Sequence, residues 1–347
     1  MKIFKRVLGG ILGVLGVCLL LVTAAEYRPE KTENVSTGSG DAALEAGKDV
    51  RIMTYNVGYA GLDRDADFFM DGGKDIQPES AEKVQANMEG IAGIVKDASP
   101  DIAIMQEVDV DSKRSYHKNQ AKYYDRALGE KGMFAYNFKV KYVPYPMPPV
   151  GKVSSGLYTN TLFKTQSAKR ISLPESFSWP MKTCNLKRCM LESRIPVTGT
   201  DKTLVVINFH LEAYDSGEGK IAQTKALRKK LAEEYEKGNY VIAGGDFNQT
   251  FEGVDKYKIT NKDSWVPGVI GRKDLPEHFD FAVADNFPTC RLLSAPYTGD
   301  YETSQVYVID GFIVSDNVEI RDLSVINTDF TYTDHQPCVM DFVLKQD

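Results

Sequence analysis

Six apolar segments of this chain share one habit: each stops at, or starts just after, a residue able to bind a cation or move a proton. Asn56, Glu107, His210, Asp246 with Asn248, and Asp310 end or interrupt apolar runs, and Asp334-His335 directly precedes the last run. A polar group at a strand terminus can reach a rim shared with its neighbours. Strands lying side by side would thus gather four carboxylates, two histidines and two amides. Such a set suits a hard divalent cation. Mg²⁺ takes oxygen ligands in octahedral geometry, needs one or two carboxylates, and keeps waters and substrate phosphate in its shell. Histidines that do not bind the metal stay free for proton transfer or phosphate contact.

Each element alone has a plainer reading. Glu107 after Gln106 is an ordinary solvated strand end, and Asp246-Phe-Asn248 after Gly244-Gly245 resembles any Gly-rich turn. A lone histidine is more often a hydrogen-bonded core residue than a catalyst. Only four histidines are present, and His117 and His278 lie in polar stretches with no assigned role. Several independent strand ends with matching chemistry, in one chain, are hard to explain as solvated turns.

The elements that must carry these residues are legible from periodicity. Residues 51–56, 101–107, 203–211 and 240–248 read as strands, with 306–314 and 338–344 as the last core strands. Pro78, Glu79 and Glu82 suit the first turn of a helix; Val84, Met88, Ile91 and Val95 follow at helical spacing, and Ser99-Pro100 ends it. A second helix spans 220–235, with Thr224, Leu227, Leu231 and Tyr235 on one face. The proline-rich stretch 142–150 is a stiff loop, where Tyr145 and Tyr142 could shape a substrate pocket. Apolar strands alternating with helices call for sheets covered by helices, here two stacked sheets with helices outside.

The N-terminus differs from the rest. Residues 7–25 are uncharged and mostly apolar, close to the ~20 residues that span a bilayer. Lys2, Lys5 and Arg6 precede them, which places residues 1–6 in the cytoplasm and the remainder outside. A cleaved signal peptide has a shorter apolar core, so an uncleaved single-pass anchor in the cell membrane is favoured; cleavage would make the protein secreted. Cys18 reads as a cysteine inside that helix. Residues 26–48 read as a flexible stalk, leaving 49–347 as the domain. Cys184 and Cys189 could pair in an oxidising space, whereas Cys290 and Cys338 read as buried thiols. No cysteine pair has zinc-site spacing. The formal charge of −6 repels nucleic-acid backbone at long range. Lys225, Arg228, Lys229 and Lys230 read as a solvated helix face, and Lys182, Lys187 and Arg188 as a small anion-attracting patch.

Six motifs, in order, resemble those of the endonuclease/exonuclease/phosphatase (DNase I-like) superfamily: Met53-Thr-Tyr-Asn56, Gln106-Glu107-Val-Asp109, Asn208-Phe-His210-Leu211, Gly245-Asp246-Phe-Asn248, Ile309-Asp310-Gly-Phe-Ile-Val-Ser315 and Thr333-Asp334-His335-Gln-Pro337. The resemblance implies a four-layered α/β/β/α sandwich of two stacked mixed sheets. It implies Glu107 as the principal Mg²⁺ ligand, Asn56 beside it and Asp334 completing the shell, with Mn²⁺ as a possible substitute. Asp246 would orient or deprotonate water, and Asn248 would hold a phosphate oxygen. His335, oriented by Asp310, would contact the phosphate, and His210 would stabilise the transition state or protonate the leaving group. Arg114, Asn208 and Tyr145 are the candidate substrate contacts, Arg114 having a surface salt bridge as its alternative role. Gly311 and Thr333 are mild departures from the family pattern, which often has an aromatic residue and Ser there.

The expected function is therefore Mg²⁺-dependent hydrolysis of a phosphate ester outside the membrane. An extracellular endonuclease and a sphingomyelinase-like lipid phosphodiesterase are the alternatives, and a non-catalytic surface binding module is the rival of another class. Nucleic acid is possible but not favoured, because no long basic track is present, and no protein partner is implied.

Overall fold

Along the chain run α1 (Lys2–Ala24), β1 (Thr32–Val35), β2 (Asp49–Asn56), α2 (Ala81–Ala98), β3 (Ile102–Asp109), α3 (Gln120–Leu128), β4 (Met133–Val143), β5 (Gly151–Thr161), β6 (Ser167–Ser172), β7 (Cys189–Pro196), β8 (Thr203–His210), α4 (Glu218–Tyr235) and β9 (Tyr240–Asp246). Four later strands, Phe279–Ala282, Asp310–Ser315, Val318–Val325 and Cys338–Leu344, complete two sheets. The computed structural model describes residues 2–215 and 217–346.

One sheet has seven strands in the order β1-β6-β7-β8-β9, then Asp310–Ser315 and Phe279–Ala282; the other has six, Val318–Val325, Cys338–Leu344, then β2-β3-β5-β4. Each is built around one parallel pair joined by a helix: β2–α2–β3 in the six-stranded sheet and β8–α4–β9 in the seven-stranded sheet. Strand residues alternate faces, so Ile52, Ile102 and Ile104 meet Leu204, Val206, Ile242 and Phe312 between the sheets. The opposite faces are covered from outside. Val84, Met88, Ile91 and Val95 of α2 pack on Met53, Tyr55, Ala103 and Met105. Leu227 and Leu231 of α4 pack on Val205, Ile207, Val241 and Ala243. The expected sandwich of two stacked mixed sheets with flanking helices is what the chain forms.

Details differ from the periodicity. Helix α2 starts after Ser80, whose hydroxyl accepts the Lys83 N–H; Pro78 and Glu79 therefore precede the first turn. The run 306–314 is split, with Val306–Tyr307 pairing with Cys290–Arg291 before Asp310 enters the large sheet.

The expected stalk is the larger correction. Thr32–Val35 pairs with β6 along the edge of the seven-stranded sheet, Ala42 bridges to Phe163 and Leu44 to Val197. Leu44 is buried in the inter-sheet core. The few apolar residues of 26–48 are thus spent on covering a sheet edge that would otherwise offer unpaired backbone groups. Before it, residues Ile3–Ala24 of α1 have mean hydropathy 2.6 and are unburied. This helix is long and apolar enough to cross a membrane.

The open question of a Cys184–Cys189 pair is answered in the negative, and the basic patch is not free. Cys184 and Cys189 are free thiols, facing the carbonyls of Tyr142 and Tyr136. Lys187 pairs with Glu26 and Glu175, Lys182 with Glu175, and Arg188 with Glu212, so that patch is neutralised. Lys230 is also not on a free solvated face, because it binds Glu192 and Glu234.

Candidate active site

The two parallel pairs end at the same rim. Asn56 closes β2, His210 closes β8 and Asp246 closes β9, with His210 and Asp246 in register. Antiparallel neighbours begin where parallel strands end. Asp310, the first residue of its strand, therefore lies opposite Asp246. Cys338 lies opposite Thr54, which brings the preceding Asp334-His335 to the rim beside Asn56.

Local backbone anomalies aim the side chains. The β3–β5 register shifts between Met105 and Val108, and Glu107 in that bulge has φ 56°. A left-handed conformation at a non-glycine residue inside a strand is strained, and such strain concentrates at functional sites. Asn248 also has φ 49°, a conformation asparagine tolerates. Gly245 sits within β9 rather than in a turn, and a Cβ there would collide with the Phe209 carbonyl. Gly58 has φ +47°, and a Cβ would lie 2.8 Å from Asp334 Oδ1. Only glycine lets the chain after β2 pass against that carboxylate.

The expected residues converge. Asn56 Nδ2 donates to Asp246 Oδ2 at 3.0 Å, lies 3.5 Å from Glu107 Oε1, and is 3.4 Å from His335 Nε2. The backbone N–H of Asn248 donates to Asp246 Oδ1 at 2.8 Å, and its side-chain amide donates to the Leu211 carbonyl at 2.9 Å. His335 Nδ1 donates to Asp310 Oδ2 at 2.8 Å, which turns Nε2 toward Asp246 Oδ2, 3.7 Å away. His210 Nε2 lies 3.4 Å from the same oxygen.

The electrostatics split the two histidines. Burial alone would lower His335, but Asp310 beside it holds the imidazole well above its ordinary range, as a cation. His210 is driven well below its ordinary range by burial, then by Arg188 and His335, so it is neutral. Asp246 is raised by burial and by the Asp310 carboxylate. Asp334 is pushed up to about 6, by burial first and also by Glu107. Asp310 Oδ1 and His210 Nδ1 are buried with no hydrogen-bond partner among the described residues.

Two of the expected substrate contacts are occupied otherwise. Asn208 is fully buried between the sheets, donating to the carbonyls of Met105 and Tyr158 and accepting from Gln106. It locks the sheets together instead of facing the cavity. Arg114 lines the cavity, but its guanidinium is held by Asp109 at 3.0 and 3.1 Å, lies 3.7 Å over the Tyr59 ring, and reaches Glu107 Oε2 at 3.7 Å. It braces Glu107. Tyr145 is exposed at the cavity wall, edge-on to Phe69.

Some contributors escaped the sequence reading. Asp109 stood in a quoted motif without a role, and it is the anchor of Arg114. Arg188 donates to the His210 carbonyl at 3.0 Å. Arg291 is buried, donates to the carbonyls of Asp63 and Ala66, and its backbone N–H donates to the Asp334 carbonyl. Arg188 stood out in the sequence only as part of a basic patch, and no local pattern marks Arg291.

The donor chemistry fits a hard cation. Asp246–Asp310–His335 and Cys290–Asp334–His335 each bring ligand atoms within 4.8 Å of one another. Both sets use His335, whose Nδ1 is committed to Asp310, and Cys290 is a thiol pushed up to about 12 by burial. Glu107 and Asp334 offer carboxylate oxygens, the ligand type that hard divalent cations take, while Asn56 Oδ1 accepts the Gly58 N–H at 3.1 Å. Asp334, raised partly by Glu107, sits where a cation would relieve crowding.

Comparison with known proteins agrees. The family model for the Endonuclease/Exonuclease/phosphatase family matches residues 53–336. No curated protein matches in sequence. Among solved structures, the chain is similar to an endonuclease/exonuclease/phosphatase from Beutenbergia cavernae, with 18% identity, TM-score 0.59, and 86% of this chain and 72% of that one covered. A second, from Bacteroides vulgatus, shows 15% identity, TM-score 0.54, and 86% and 100% coverage. The human Nocturnin catalytic domain with bound sulfate anion shows 17% identity, TM-score 0.52, and 88% and 97% coverage. At these identities the structures speak for the fold, and the family model covers most of the chain. With the six ordered motifs converging on one rim, the chain belongs to the endonuclease/exonuclease/phosphatase family, whose members hydrolyse phosphoester bonds.

Proposed function

We propose that the chain is a Mg²⁺-dependent hydrolase of phosphate esters, with Mn²⁺ as a substitute, tethered by α1 with residues 49–347 outside the membrane. Glu107, Asp334 and Asn56 would hold the ion, which when bound polarises a phosphate oxygen and lowers the cost of charge on it. Asp246 takes a proton from the attacking water; a carboxyl raised toward neutrality is the better base at physiological pH. Asn56 and the Asn248 N–H fix both oxygens of Asp246. The His335 cation, held by Asp310, presents Nε2 to a phosphate oxygen. Neutral His210, beside Asp246, supports the oxygens of the transition state.

One observation supports this reading above the rest: the Asp246 and Asp310 carboxylates from two strand ends and Asp334 from the loop before the last strand share a rim with a single buried imidazolium. The test is hydrolysis of an aryl phosphodiester. EDTA should abolish it, Mg²⁺ or Mn²⁺ should restore it, and Asp246→Ala should abolish it with unchanged circular dichroism. Undiminished turnover by purified Asp246→Ala overturns the assignment. For orientation, the cations Lys2, Lys5 and Arg6 before the apolar run support an outward domain. Protease added to intact cells should then degrade it, and full protection contradicts that orientation.

A further inference from the structure

Resting on the phosphoesterase reading, we propose that the substrate is a phosphodiester lipid drawn from the bilayer, its acyl chain lying in an apolar trough between α1 and the site. A single cavity of about 930 Å³ is lined both by Glu107, Asp246, Asp334 and His335 and by Leu21, Val22 and Ala25 of the anchor region. Its intervening wall is apolar, with Phe69, Val140, Val143, Phe177, Met181 and Leu186. A phosphate and a small polar leaving group need no such wall.

The mouth of the trough carries the second observation. Tyr142 (52%), Tyr145 (71%), Met147 (84%), Trp179 (53%) and Met181 (63%) are large, apolar and exposed. They come from two separate segments, the end of β4 with the β4–β5 loop and the stretch before β7, and Tyr142, Tyr145 and Met181 line the same cavity as Leu21, Val22 and Ala25. Trp179 Nε1 donates to Thr23 Oγ1 at 3.0 Å, tying the second segment to the last turn of the anchor. Apolar patches of this kind mark membrane or ligand contact, and Trp and Tyr favour the bilayer interface. The trough thus opens where the spanning helix ends, so a lipid tail could leave the bilayer without crossing water.

The wall argues against a polynucleotide in the same place. Of its four Lys and Arg residues, Arg114 and Arg188 are tied to carboxylates and Arg291 to backbone carbonyls. That is not the run of free cations a phosphate backbone takes.

The test uses the full chain in mixed detergent micelles and in phosphatidylcholine vesicles. The substrates are phosphatidylcholines with acyl chains of increasing length, an aryl phosphodiester and a single-stranded oligonucleotide. We expect kcat/KM to rise at least about ten-fold from short to medium acyl chains, since each buried methylene strengthens binding. A photoactivatable acyl probe in the vesicles should cross-link to residues 140–145 and 177–186. Met181→Glu should lower vesicle hydrolysis and cross-linking about ten-fold, and Met181→Leu should restore both. Cleavage of the aryl ester with no dependence on acyl length, or with the oligonucleotide preferred, overturns the lipid inference alone. Cleavage of none of the substrates overturns it together with the phosphoesterase reading.

Discussion

Two clusters of buried charge in this molecule are built in opposite ways. Behind the seven-stranded sheet, Glu192 and Glu234 meet Arg194, Lys230 and Lys237, so acids are outnumbered by cations. At the rim, Glu107, Asp246, Asp310 and Asp334 surround one imidazolium, and Arg114 is shared between Glu107 and Asp109. Burial pushes Glu234 up in the first cluster, and Asp246 and Asp334 in the second. In the first cluster Arg194, Lys230 and Lys237 overcome it and hold Glu234 at about 2. In the second the shift stands, and Asp334 sits at about 6. The difference lies in the available countercharge. A balanced cluster is complete within the chain, whereas one short of positive charge is a place for a cation and a reaction.

Breaking the rim should have the largest effect. Asp246→Ala or His335→Ala should lower kcat/KM for an aryl phosphodiester by about 10³-fold, measured at saturating Mg²⁺. Asp246→Asn should show a similar loss but a higher Tm than wild type without metal, because it removes a crowded buried charge. A lower Tm would show that the charge is stabilising after all.

The balanced cluster should behave in reverse. Glu234→Gln strips Arg194, Lys230 and Lys237 of their shared partner and should destabilise by about 3 kcal/mol, read from urea unfolding, with kcat unchanged. Its pH dependence has a definite sign. The folded carboxyl lies below its ordinary 4.5, so its contribution is full above pH 4.5 and is lost as pH falls toward about 2. Asp334 runs the other way: raised from 3.8 to about 6, it costs stability above pH 6, and the cost fades as pH falls toward 3.8. Metal-free unfolding followed between pH 7 and 3 should therefore differ between Glu234→Gln and Asp334→Asn in opposite senses.

The smallest effect should be at the brace. Arg114→Lys keeps the charge but loses the fork on Asp109 and the stacking on Tyr59. It should raise the Mg²⁺ concentration for half-maximal activity about ten-fold, and an unchanged requirement would separate Arg114 from Glu107.

Much of the rim was visible in the sequence because it is a strand-end property. Asn56, Glu107, His210 and Asp246 each terminate a short apolar run, and such short runs, buried on both faces, read as strands. Asp310 was legible as an interruption of an apolar run and His335 as one of the residue pair just before the last run; that Asp310 starts an antiparallel strand came from the structure. What stayed hidden depends on contacts distant in sequence. Asn208 looked like a site residue because it lies two positions before His210, but that spacing placed it between the sheets. Arg188 holds the His210 carbonyl while paired with Glu212, and Arg291 holds the carbonyls of Asp63 and Ala66, contacts that no local sequence pattern records. Residues 26–48 have a linker-like composition, yet one four-residue strand and Leu44 suffice to dock them on an open edge. The trough requires α1, the β4–β5 loop and the stretch before β7 to meet, and periodicity is silent on that.

The most direct test of the charge-deficit account is a thermal shift on Mg²⁺ addition to the metal-free protein at pH 7. Wild type and Glu234→Gln should each gain several degrees, and Glu107→Gln should gain almost nothing. An equal gain in Glu107→Gln, or none in wild type, would contradict the assignment of the rim as a cation site.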